Sequence, residues 1–161
     1  MTECEPDVTF AGKTVIMTSR NSNLVLTAPR DCNGGEQLTQ EQDVEVPLQR
    51  WLIEAVPGTK YASTIKNAQC SKLVLEVYQA SVNDGAMVNL WENNGGCHQT
   101  WEILKCQDDQ GTFWKIMNRH SSKLMEVVGG ASLDSKKPGA KIDQWTDQGQ
   151  VNQKWCIEVA D

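Results

Sequence analysis

Short runs in which apolar and polar residues alternate recur along the whole chain, and no run keeps a helical period for long. The clearest are Trp51-Leu52-Ile53-Glu54, Trp101-Glu102-Ile103-Leu104 and Trp155-Cys156-Ile157-Glu158. Such period-two patterning predicts short strands with one buried face. Each run follows the same tripeptide, Gln-x-Trp, as Gln49-Arg50-Trp51, Gln99-Thr100-Trp101 and Gln153-Lys154-Trp155, with tryptophans 50 and 54 residues apart. Upstream, Ile16 and Leu24, Ile65 and Leu73, and Ile116 and Leu124 are each eight residues apart across a polar, turn-like stretch. That spacing predicts two strands joined by a hairpin turn. A further landmark is shared by two copies: Gly85-Ala86-Met87-Val88-Asn89-Leu90-Trp91 and Gly139-Ala140-Lys141-Ile142-Asp143-Gln144-Trp145, a glycine turn leading into a strand that ends on tryptophan.

Each copy therefore offers four short strands, and three copies offer twelve. Pro47 limits the segment Asp43–Trp51 to about one helical turn. A copy of about 50 residues cannot bury its apolar face alone, so the copies must share one core. Propellers usually have four to eight blades, which disfavours a three-bladed one. A closed threefold barrel capped by hairpins fits better. The reading is an all-β, single domain over 1–161, with repeats at approximately 8–57, 58–107 and 108–161.

The motif Ser-Ser-Lys-Leu-Met-Glu-Val, followed by Pro-Gly-Ala-Lys-Ile-Asp-Gln-Trp and Val-Asn-Gln-Lys-Trp, resembles the ricin-B-type lectin repeat. The second copy matches through Lys72 to Val77, Gly85 to Trp91 and His98-Gln99-Thr100-Trp101, and the resemblance runs from about Val8 to Val159. It implies a β-trefoil, a six-stranded barrel with three hairpins. Within it Trp51, Trp101 and Trp155 are expected as core, and each Gln-x-Trp glutamine as a clamp on its loop, because a buried amide must be hydrogen-bonded.

A hexose presents an apolar C–H face that an aromatic ring can cover and hydroxyls that carboxylates and amides can fix. The resemblance implies such a set: a carboxylate just after the first hairpin, an aromatic at the end of the third strand, a polar residue two before that aromatic, and the asparagine of Asn-Gln-x-Trp. In the third copy these positions are Glu126, Asp143, Trp145, Asn152 and Gln153; in the second they are Glu76, Asn89, Trp91, His98 and Gln99. The aromatic precedes the glutamine by eight residues in both copies. Three departures stand out. Both carboxylates are glutamate where the family favours aspartate, which moves the carboxylate by about one C–C bond. His98 replaces asparagine with a different reach, and Asp143, two before Trp145, can only accept hydrogen bonds. The first copy is expected to bind no sugar: its carboxylate position falls at Leu26 or Thr27, Gly35–Glu41 has no aromatic, and Leu48 replaces the asparagine.

Composition narrows the function. The chain is 39% apolar and 22% charged, which supports a buried core. Its charge of −6, with scattered basic residues, speaks against a nucleic-acid surface. No apolar run approaches the roughly 18 residues of a membrane span. Catalytic motifs such as Gly-x-Ser-x-Gly, a P-loop or His-Glu-x-x-His are absent from the sequence. Glu76 and Glu126 sit in different copies, and a glycosidase pair needs about 5–10 Å. The expectation is therefore a binder and not an enzyme, with no cofactor and no metal, whose partners are galactose- or N-acetylgalactosamine-containing glycans. A homodimer would add bivalency. The alternatives are a protease inhibitor, using loops Asp31–Glu36 and Asp134–Pro138, or an interaction module with decayed sugar sites. The acidic start, without a basic and apolar leader, predicts a cytoplasmic protein or one released by a leaderless route. On that basis the six cysteines, Cys4, Cys32, Cys70, Cys97, Cys106 and Cys156, are expected to be reduced.

Overall fold

The alternating runs form strands in the computed structural model, which describes residues 2–160; Met1 and Asp161, the ends of the expected domain, lie outside it. The strands are β1 (Glu3–Pro6), β2 (Thr14–Ser19), β3 (Val25–Thr27), β4 (Thr39–Glu41), β5 (Trp51–Ala55), β6 (Ala62–Asn67), β7 (Leu73–Val77), β8 (Val88–Glu92), β9 (Trp101–Asp108), β10 (Gly111–Asn118), β11 (Leu124–Val127), β12 (Ile142–Trp145) and β13 (Trp155–Val159). Antiparallel pairing runs β2–β5–β6–β9–β10–β13 and returns to β2, so six strands close a barrel. The hairpins β3–β4, β7–β8 and β11–β12 hang from β2, β6 and β10. They meet one another through the bridges Gln37↔Asn89, Thr39↔Lys141 and Met87↔Asp143. This is a β-trefoil.

The three Gln-x-Trp motifs build it. Trp51, Trp101 and Trp155 are fully buried. Their indole nitrogens donate to the carbonyls of Leu26, Leu75 and Met125 at 3.1, 3.1 and 3.0 Å. A buried aromatic removes about 150–250 Å² from water, and the N–H needs a partner there. Each barrel strand that opens on tryptophan is thereby tied to the first strand of its own hairpin. A single 3₁₀ turn precedes each tryptophan, at Pro47–Gln49, Cys97–Gln99 and Val151–Gln153. From it the glutamine amide spans a loop: its oxygen accepts from the backbone N–H of Val44, Asn94 or Gln148, and its nitrogen donates to the carbonyl of Gln42, Glu92 or Thr146. The copies are also linked by charge. Asp108, ending β9, accepts from both terminal guanidinium nitrogens of Arg20, Nη1 and Nη2, at 2.6 and 2.9 Å, and from Lys154 at 3.0 Å.

The structure corrects four sequence readings. A thirteenth strand, β1, precedes the repeats and pairs with β9. In β2 the inward positions are Val15, Met17 and Ser19, so Met17, not Ile16, matches Ile65 and Ile116. The eight-residue offset is also not constant, because β6 pairs Lys66 with Val74 where β2 pairs Thr18 with Val25, which makes the second copy's turn one residue longer. Finally, four cysteines are bridged rather than reduced. Cys4–Cys106 fastens β1 to β9, and Cys32–Cys70 joins the first hairpin's loop to the second copy's turn. Pairing requires Cα atoms within about 7 Å, and positions 102 and 38 residues apart come together only in the fold. Cys97 and Cys156 are free and exposed.

Trp101→Ala removes a buried ring and leaves the Leu75 carbonyl without its donor. Denaturant unfolding is expected to show a loss of about 3–5 kcal/mol.

Candidate functional site

The tryptophan-to-carbonyl bonds and the strand register settle which residues of the copies correspond. Glu76 lies opposite Asn89 in the β7–β8 hairpin, and Glu126 opposite Asp143 in β11–β12. The matching rung of the first copy is Thr27↔Thr39. Trp91 and Trp145 stand two residues beyond Asn89 and Asp143, on the same strand face. Their first-copy counterpart is Glu41.

All five second-copy residues gather at one place. Glu76 is 4% exposed, and its carboxylate is the hub. Oε1 accepts from Gln99 Nε2 at 3.1 Å and faces His98 Nε2 at 3.2 Å, while Oε2 accepts from Asn89 Nδ2 at 3.0 Å. A methyl on Gly96 would come within 2.5 Å of His98 Cε1, so glycine there leaves the imidazole room to reach Glu76. Trp91 is 47% exposed beside the hub. The first copy's turn crosses it closely: a methyl on Gly34 would approach Trp91 Cε3 to 3.1 Å. The result is a shallow cavity of ≈ 290 Å³ lined by Glu76, Tyr78, Gln79, Trp91, Asn94 and His98.

The third copy repeats the hub with different chemistry. Glu126, 6% exposed, accepts through Oε1 from Asn152 Nδ2 at 3.3 Å and Gln153 Nε2 at 3.2 Å. Asn152 and Gln153 thus occupy the roles of His98 and Gln99, and the change from asparagine to histidine keeps the contact. Where Asn89 donates to Glu76, however, Asp143 meets Glu126 as a second acid. Burial, the bond to Glu126 and the charges of Glu126 and Asp84 push Asp143 up to about 9. Burial raises Glu126 as well. Two buried carboxyls in contact cannot both ionise cheaply, so the pair keeps one proton at neutral pH. Trp145 is half-buried, with the Gly85 turn of the second copy beside its ring.

The first copy keeps the frame and loses the hub. Gln49 Nε2 reaches Thr27 Oγ1 at 3.3 Å. A wider cavity there, ≈ 620 Å³, includes Thr27, Thr39, Glu41 and Leu48, with neither a buried carboxylate nor an aromatic ring in its lining.

Sequence reasoning missed Tyr78, Gln79 and Asn94. Asn94 reads as a turn residue, and its turn does fold under Gln99. Tyr78 had a signal: it follows Glu76 by two, the strand period, which returns it to the same face.

Comparisons with known proteins agree with this architecture. The model of the family described as ricin-type beta-trefoil lectin domain-like matches residues 9–91, 58–136 and 97–161. No curated protein sequence matches the chain. Among solved structures it is similar to ThreeFoil, a designed threefold-symmetric protein, at 26% identity, covering 92% of this chain and 99% of that one, with a TM-score of 0.78. It is similar to part of an exo-β-1,3-galactanase from Clostridium thermocellum, at 27% identity and TM-score 0.79, covering 96% of this chain and 31% of that one. A ricin B-like lectin from Macrolepiota procera, solved with lactose, shares the fold at 15% identity and TM-score 0.73, covering 92% and 96% of the two chains.

The acid pair has a consequence for stability. The unfolded chain releases the Asp143 proton near its ordinary value of 3.8, whereas the folded protein holds it to about 9. Between those limits folding takes up a proton, so stability falls as pH rises and levels off above about 9. Asp143→Asn keeps the shape without the proton. Thermal unfolding of that variant from pH 5 to 9 is expected to show a flatter pH dependence and a higher midpoint at pH 8 than the parent.

Proposed function

Because the chain belongs to the ricin-type beta-trefoil lectin domain-like family, we propose that it binds glycans terminating in galactose or N-acetylgalactosamine, through its second and third copies. One observation carries the reading. Two hairpins related by the fold's symmetry each hold a buried glutamate beside a solvent-reaching tryptophan, and each glutamate is held in place by the Gln-x-Trp glutamine. A carboxylate that has lost its water but keeps unfilled lone pairs is a strong acceptor for sugar hydroxyls. The tryptophan offers an apolar face to the C–H side of the ring. Galactose supplies both, with an axial 4-hydroxyl for the carboxylate and an apolar face for the indole.

The sites are not identical. The second presents one carboxylate framed by His98 and Asn89, and the third presents an acid pair that keeps a proton. Two shallow sites of modest strength give avidity on a glycan-dense surface. Such a role is that of a binder and not an enzyme, since the two glutamates belong to separate hairpins. Disulfides persist in oxidising compartments, and the two bridges support action outside the reducing cytosol.

Tryptophan fluorescence titrated with galactose and N-acetylgalactosamine tests the proposal. The parent protein is expected to show a saturable change that Trp91→Ala and Trp145→Ala each reduce. A folded protein whose emission no galactoside alters, and which agglutinates no cells in a galactose-reversible way, would overturn it.

A further inference from the structure

We infer that Tyr78 and Gln79 form a second ligand-contacting wall that makes the second-copy site selective for a disaccharide or longer glycan over a single sugar; this rests on the sugar-binding reading of that site. Tyr78 is 39% exposed and stands outside the hydrophobic core. Its backbone N–H bonds the Met87 carbonyl, one step beyond the last hairpin rung, Val77↔Val88. Trp91 sits at the other end of the hairpin, opposite Val74. Glu76 lies between them. Four residues separate the Val74 and Tyr78 positions, about 13 Å at roughly 3.3 Å per residue. A six-membered ring with bonds of ~1.5 Å is roughly 3 Å across, and about 5 Å with its equatorial hydroxyls. A ligand ring that stacks on Trp91 and bonds Glu76 therefore leaves Tyr78 for the next ring along, within one continuous cavity.

The backbone supports the same assignment. Gln79 and Ala80 have φ of 52° and 55°, the one pair of consecutive non-glycine residues in the left-handed region among the described residues. Side chains rarely adopt it, and such outliers gather at functional sites. In the third copy the corresponding pair is Gly129 and Gly130, at φ 118° and 57°, following Val128. Val128 bonds the Lys141 carbonyl as Tyr78 bonds that of Met87, so the chain path is shared. Glycine makes this turn without strain. The second copy makes it with Gln79, whose side-chain nitrogen donates to Tyr78 Oη at 3.3 Å, and which lines the cavity. The strained turn places an amide and a phenol at the site's far end, where the third copy has only a valine and two glycines.

The test uses the full chain carrying Trp145→Ala, which leaves the second site to be read alone. Calorimetric titration with galactose and with lactose is compared in this protein and after adding Tyr78→Ala or Gln79→Gly. Lactose is expected to bind roughly three- to tenfold more tightly than galactose, the range of one aromatic contact. Either added substitution brings the lactose affinity down to the galactose value, and Gln79→Gly also raises the unfolding temperature by releasing strain. A lactose preference that survives both substitutions overturns the inference, as does equal binding of the two sugars at the start. Gln79→Gly lowering the unfolding temperature while the preference stays would make the turn purely structural. Binding of neither sugar, with or without Trp145→Ala, overturns the lectin reading itself.

Discussion

The hydrogen bond from each buried tryptophan to a hairpin carbonyl is the contact on which the rest depends. It joins a barrel strand to the hairpin that caps it, three times, so barrel and cap are fastened at three symmetric points. The adjoining glutamine then fixes the loop that follows the hairpin. One tripeptide thus provides core volume, a satisfied indole N–H and a clamped loop. Because the three copies meet in one barrel, the same tripeptide also sets the symmetry of the surface. The carboxylate position lies one residue after the carbonyl that the tryptophan holds, so scaffold and site share their anchor.

That proximity explains how two carboxylates come to be buried without being wasted. The glutamine that clamps the loop also donates to Glu76 or Glu126. A buried carboxylate is costly unless its oxygens are hydrogen-bonded. Here the donors are side chains of the scaffold, Gln99 and Asn89 for Glu76 and Gln153 and Asn152 for Glu126. The chemistry of the copies diverges around this hub. Asn89 and His98 surround a single charge in the second copy, Asp143 turns the third into an acid pair, and Thr27 removes the charge from the first. One frame supports three electrostatic environments.

The Gln-x-Trp triplet and the glycine-to-tryptophan strands made the threefold, all-β repeat readable from sequence, since both depend on local periodicity; the trefoil and the membership of both hubs were implied by the family resemblance that those motifs carry. Glu76, Asn89, Trp91, His98 and Gln99 were grouped because each falls on a position that the resemblance marks in the repeat. The register error at Ile16 came from matching residue type rather than pleat, and Met17 is equally apolar. Strand β1 lies outside the repeats and so had no copy to reveal it.

What the sequence determined by itself is the repeating scaffold: the period of the strands, the buried tryptophans and the chemistry available to each copy. These follow from local patterning, which a strand enforces every second residue. Only the tertiary structure decided which cysteines pair, that Asp143 presses on Glu126 and retains a proton, and that Tyr78 and Gln79 line one cavity with Glu76 and Trp91. Each of these depends on distances between segments far apart in the chain, or on a left-handed turn whose conformation no residue type there announces.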